Sequence, residues 1–102
     1  MDTLNEPDSD GYSFVEDNEA GRFELHQDGE VLSFASYSER SDGVVVVSHV
    51  ETDPKHRRQG HSSRLLDRVL VSLRETDRKI LPLCSVAARH VHSDAAHQDL
   101  LA

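Results

Sequence analysis

The sequence holds a single cysteine, no tryptophan and no apolar run long enough to cross a bilayer, and each shortage removes a class of protein. Cys84 alone cannot form an internal disulfide, so a reducing cytosol is the expected compartment. Membrane helices need roughly 20 apolar residues, which no segment approaches. The acidic start also lacks the basic residues and apolar core of a secretion signal. A soluble, cytoplasmic protein is therefore expected. Positive charge is scarce as well: 11 Lys and Arg face 19 Asp and Glu, leaving a formal charge of −8. Such a surface repels a phosphate backbone and argues against nucleic acid as the main partner.

Several motifs are missing too. Neither Gly-x-x-x-x-Gly-Lys-Ser/Thr nor Gly-x-Gly-x-x-Gly occurs, so nucleotide binding of those kinds is excluded. No Gly-x-Ser-x-Gly elbow supports a serine hydrolase. Seven histidines are present, but without a cysteine pair or zinc-ligand spacing, so no metal is expected.

At 102 residues and 36% apolar content, the chain can build one modest core. Residues 1–11 are acidic and without periodicity, and read as a disordered tail. A single domain is expected over 12–102. Tyr12 to Val15, Arg22 to His26 and Val31 to Tyr37 read as strands, the last two joined by Asp28-Gly29, a strong hairpin signal. Ser41-Asp42-Gly43 turns the chain into Val44-Val45-Val46-Val47, which with Val50 predicts a central strand buried on both faces. These four strands predict an antiparallel meander. Leu65, Leu66, Val69, Leu70 and Leu73 then repeat with helical period from about Gly60 to Thr76. Ile80 to Cys84 reads as a further strand, weakened by Pro82. Val86 to His92 and Ala95 to Leu101 read as short helical segments, the second capped by Ser93 and Asp94.

What organises the chain is the connection between the valine strand and the main helix. Asp53-Pro54 ends the strand, Lys55, Arg57 and Arg58 follow, and Gly60 opens the helix before Ser62 and Ser63. The first amides of a helix lack internal partners and carry roughly half a positive charge. With a glycine admitting close approach, this corner predicts an anion cradle suited to a pyrophosphate.

Arg57-Arg58-Gln59-Gly60-His61-Ser62 resembles the Gln/Arg-x-x-Gly-x-Gly/Ala signature of the GNAT superfamily of N-acetyltransferases. His49 to Pro54, Leu81-Pro82-Leu83-Cys84 and Asp99-Leu100 resemble its small single-domain branch, and the likeness runs from about Phe14 to Leu101. Ser62 stands where Gly or Ala is usual, and His90 where the branch tends to have Tyr.

The resemblance implies an α+β (α/β) fold with a mixed sheet, the last strand being parallel to the fourth and splayed from it. It implies acetyl-CoA as cosubstrate, with main-chain groups of Val50, Glu51 and Thr52 pairing the pantetheine arm. The amides from Arg58 to Ser63, through Gln59, Gly60, His61 and Ser62, would take the pyrophosphate, with Lys55, Arg57 or Arg58 near the other phosphates. An N–H at Glu51 or Thr52 would polarise the acetyl carbonyl.

Glu51 and His49 occupy alternate positions and share one face of the strand, so either could deprotonate an amine. Cys84, across the slot, could protonate the departing thiolate or carry the acetyl group, and His90 could donate a proton. The expected partners are acetyl-CoA and an amine acceptor: a small amine such as a polyamine, a lysine or a protein N-terminus. The expected state is a monomer or weak dimer. The alternative is a CoA-binding module or partner subunit without turnover.

Overall fold

The computed structural model describes residues 11–102, so the acidic tail expected over 1–11 lies, apart from Gly11, outside the described residues. Five strands form one sheet in the order β1 (Tyr12–Asp17), β2 (Arg22–Gln27), β3 (Glu30–Glu39), β4 (Val44–Thr52) and β5 (Lys79–Pro82). Neighbours from β1 to β4 pair antiparallel, while β5 runs parallel to β4. A single 3-10 turn at Pro54–His56 and α1 (His61–Glu75) connect that parallel pair. After β5 come α2 (Ser85–Ser93) and a 3-10 segment at Ala95–Leu100. The meander, main helix, parallel strand and C-terminal helical segment are thus all as expected. At the β2–β3 hairpin, Asp28 and Gly29 take positive φ of 52° and 79°, the handedness that lets a two-residue turn follow strand twist.

The leucine stripe of α1 packs on Phe14, Phe23, Leu25, Ala35, Val45 and Val47, and Ile80, Ala87, Val91 and Leu100 join the same cluster. Each of the Phe, Leu, Ile and Val side chains among them contributes about 1.5–3 kcal/mol by leaving water. The core therefore lies on one face of the sheet. This corrects one expectation: β4 is central, but Ser48, His49 and Glu51 are exposed rather than buried. The helices cover one face, and the polar half of β4 looks out from the other.

A bulge makes that arrangement possible. Pairing of β4 with β3 steps from Tyr37–Val47 to Ser36–His49, so Ser48 has no opposite residue. One extra residue reverses the alternation and bends the strand. As a result Val47 and Val50 both face the core although an odd step separates them.

The parallel pairing stops at Val47–Pro82, because Pro82 has no N–H to extend it. Leu83 N–H closes the ladder on the Val47 carbonyl at 2.9 Å, and the chain turns into α2. Beyond this point β4 continues from Ser48 to Thr52 without a β5 partner, and the two strands separate.

At the other end of the sheet, Arg78 donates to both carboxylate oxygens of Glu16 at 2.9 Å and to Glu39 at 3.0 Å. Tyr37 Oη donates to Glu16 at 2.7 Å. Arg78 and Tyr37 hold the Glu16 carboxyl below its ordinary range, against the opposing effect of burial.

Candidate active site

The corner after β4 is shaped by Asp53. Its N–H donates to the Leu32 carbonyl at 2.8 Å, finishing the strand, and its side chain accepts from the Lys55 N–H at 2.9 Å, starting the 3-10 turn. Pro54 occupies the first helical position, where no donor is needed.

Beyond the turn, Arg58 and Gly60 adopt left-handed φ of 64° and 77°. Helix α1 then begins without a side-chain cap, its first bond running from Arg64 N–H to the Gly60 carbonyl at 3.0 Å. The amides of its first turn have no helical acceptor and form an anion-receptive surface. A Cβ at Gly60 would meet nothing within 4 Å, so the glycine serves backbone handedness and the space above it is open.

Beside this corner lies a cleft of about 390 Å³, walled by His49 to Thr52 on β4, by Arg57, Arg58 and Ser62, and by Val86 of α2. It occupies the place where β4 has lost its parallel partner. Gln59, Gly60 and Ser63 line an adjoining depression with Arg64, Asp67 and Arg68. Lys55 is exposed and lines neither. Among the described residues, the guanidinium groups of Arg57 and Arg58 have no ion-pair or hydrogen-bond partner.

His61 points inward. Its side chain is buried, its Nδ1 has no partner, and its Nε2 lies 3.2 Å from Gln59 Oε1. Burial and the nearby charges of His56 and Arg64 push its pKa down, which favours the neutral ring, and the side chain lines neither depression.

His49 and Glu51 project from the uncovered face, as alternation requires. The His49 ring meets Phe34 edge to face at 6.2 Å. The Glu51 carboxylate has no partner among the described residues, while its carbonyl accepts from Ser33 Oγ at 2.9 Å. That bond turns the Glu51 main chain toward β3. Strand alternation therefore aims the main-chain groups of Val50 and Thr52 at the gap instead. Of the two amides expected to polarise a carbonyl, Thr52 faces the cleft and Glu51 does not.

Cys84 is half-buried ahead of α2 and does not line the cleft itself. Burial acts to raise its thiol pKa, but the amides of Ala87, Val86 and Val50 outweigh it and bring the value below that of an ordinary thiol. No capping hydrogen bond forms by strict geometry, so the pull comes from dipoles directed at a polarisable sulfur.

His90 lies elsewhere. Its Nε2 is 2.8 Å from Asp67 Oδ1, in a depression shared with Ser62, Ser63 and Arg89. Ligand atoms of Asp67, His90 and Asp94 come within 4.8 Å of one another, a grouping that linear spacing did not reveal. Asp94 is also bonded to His97 at 2.9 Å, so these contacts tie the C-terminal segment together and to α1.

The sequence reading missed two features of the cleft. The Ser48 bulge left no signal beyond two polar residues interrupting a valine run, and Val86 became a wall only through the placement of α2.

A mixed sheet whose parallel pair parts beside an uncapped, glycine-led helix defines an acetyltransferase type of fold. Residues 22–100 match the family described as GCN5-related N-acetyl-transferase, and the chain belongs to that family. Among solved structures it is similar to a GCN5-like protein from Staphylococcus aureus, with TM-score 0.63, 18% identity and coverage of 90% of this chain and 89% of that one. It is also similar to the ribosomal-protein-S18-alanine N-acetyltransferase of Escherichia coli, with TM-score 0.59, 20% identity and coverage of 78% and 50%. Ard1 from Thermoplasma volcanium matches with TM-score 0.52 at 24% identity, over 61% of this chain and 43% of that chain. No curated protein matches the chain significantly in sequence. Among the described residues, no helix is long and apolar enough to cross a membrane.

Proposed function

We propose that the protein transfers an acetyl group directly from acetyl-CoA to an amine, with both substrates bound together. The observation that carries this reading is the unpaired length of β4 after Val47 lying beside an uncapped helix start. An amide-bearing pantetheine arm pairs with Val50 and Thr52 in place of a missing strand. The pyrophosphate meets the amides from Arg58 to Ser63, with Arg57 and Arg58 supplying countercharge. Val86 excludes water from one side.

The chemistry divides among three groups. Glu51, with His49 as the other candidate base, takes a proton from the ammonium and frees the nitrogen lone pair. That pair forms the N–C bond at the thioester carbonyl as the π electrons move onto oxygen, and when they return the C–S bond breaks and its electrons leave on sulfur. Thr52 N–H steadies the oxyanion between these events, a role for which loss of one donor typically costs about 2.7–4 kcal/mol of barrier. The nitrogen sheds its second proton and the thiolate gains one from Cys84, whose lowered pKa makes it a ready donor. Cys84 is then reprotonated, so the balance is one acetamide, one free CoA thiol and one proton released.

The test is titration of the protein with acetyl-CoA followed by NMR, then thiol release on adding amines. Amide shifts confined to residues 50–63 and saturable binding are expected. Failure to bind at millimolar acetyl-CoA removes the proposal. Binding without thiol release from any amine supports the alternative, a CoA-binding module without turnover. Residual turnover in Cys84→Ala is expected for direct transfer, and its abolition in a variant that still binds acetyl-CoA supports an acetyl-cysteine route.

A further inference from the structure

On the uncovered face of the sheet, a second depression of about 330 Å³ lies between β3 and the end of β4. It shares Glu51 and Thr52 with the cleft described above, so the two depressions meet at the end of β4. We infer that this depression seats the acceptor, and that the acceptor is a small primary amine with one positive charge on a compact apolar body.

The lining carries the argument. Val31, Leu32, Phe34 and Pro54 provide apolar surface, and the volume is at the small end for a ligand site. Two carboxylates border it: Asp53 is oriented as the cap of the 3-10 turn by the Lys55 N–H at 2.9 Å and keeps its charge. Glu51 alone has a carboxylate without a partner among the described residues. An ammonium is therefore best matched at Glu51, the residue common to both depressions, with the Asp53 charge beside it.

A second ammonium at the opposite side of the depression is not matched. Arg22 closes the far side, with its guanidinium 4.3 Å above the Phe34 ring and its Nε donating to Glu24 at 3.0 Å. Glu24 is in turn taken up by Arg22 and by His26, whose Nε2 lies 2.8 Å away. No spare negative charge remains there, and a polyamine reaching across the depression would bring its distal cation against Arg22.

This inference rests on the acetyl-transfer reading, and the experiment separates the two. The full chain, saturated with acetyl-CoA, is titrated with benzylamine, with spermidine and with a short lysine-containing peptide, using NMR shifts and thiol release. Benzylamine is expected to shift the amides of Val31, Phe34 and Glu51, and to show the highest kcat/KM of the three. Val31→Trp, which fills the depression, should raise the benzylamine KM at least tenfold without changing the acetyl-CoA Kd. Acetyl-CoA binding with amine shifts mapped elsewhere, a higher kcat/KM for spermidine or the peptide, or an unmoved KM in Val31→Trp overturns the inference and leaves the transfer reading intact. If Val31→Trp does not fold, the wild-type shift map decides. Absence of acetyl-CoA binding overturns the transfer reading instead.

Discussion

The two ends of the sheet use the same side-chain chemistry for opposite purposes. At one end Arg78 is enclosed by Glu16 and Glu39, and Tyr37 occupies a further lone pair of Glu16. At the other end Arg57, Arg58 and Glu51 carry the same charges without partners among the described residues. Where neighbours take up every donor and acceptor, the charges hold strands together. Where none does, they remain available to a ligand. Position relative to the core decides which: Arg78 follows the end of α1 and is drawn onto β1 and β3, whereas the Arg57 corner projects past the last parallel pairing.

The largest effect expected from this division comes from Arg78→Ala. It leaves Glu16 half-enclosed without its cation, and removing one member of such a pair costs about 3 kcal/mol, the lower end of the range for buried pairs because 12–14% of each side chain still sees water. Urea denaturation should show that loss, while the folded variant should bind acetyl-CoA with unchanged affinity. A loss of binding that exceeds the loss of stability would break the division between the ends.

Arg57→Glu is the converse. Its unfolding free energy should stay within about 0.5 kcal/mol of the parent's, as for an exposed residue without contacts. Its acetyl-CoA affinity should fall roughly 10- to 100-fold, the value of a charged hydrogen bond lost, as read by calorimetry. An equal drop in stability would show that the corner supports the fold.

Gly60→Ala should be smaller still. Nothing obstructs the added methyl group, but a φ of 77° is left-handed and costs an L-residue about 1 kcal/mol. Urea midpoints measure it, and a neutral result would mean that the corner relaxes freely.

Acid sharpens the contrast from the other side. Glu16 has a folded pKa below its ordinary 4.5, so its contribution is complete above that value and is lost as pH falls through the folded value. Stability should therefore drop from pH 4.5 downward, and Arg78→Ala should show a flatter profile over the same interval. The smallest expected signal is at Cys84. Its lowered pKa should bring iodoacetamide alkylation to half its maximal rate at a lower pH than for a free thiol, and an ordinary thiol profile would remove it as proton donor.

Much of this architecture was legible in the chain because it depends on local pattern. Asp28-Gly29, the valine run, the leucine stripe and the Pro54 stop each fix their own backbone. The glycine-led corner was legible for the same reason. What escaped depended on residues meeting across the fold. Arg78 and Glu16 are 62 positions apart, and nothing in either neighbourhood announces the pair. Alternation told that His49 and Glu51 share a face, but not that a bulge turns that face away from the helices. Nor could it show that Phe34 and Val31 would complete a hollow beside Glu51, since that follows from the register of β3 with β4.

Ser48 is the extra residue in the pairing of β4 with β3. Losing this one residue would leave an unbroken two-residue repeat in which Tyr37–Val47 is followed directly by Ser36–His49, so each side chain from His49 to Thr52 would keep its side. Glu51 would still face away from the helices and Val50 would still pack on the core, and what would go is the local bend and added twist of the strand. A single-codon deletion at Ser48 thus regularises the strand without turning the site inward, so mutational scans should find deletion there far better tolerated than deletion of a regularly paired residue such as Val50.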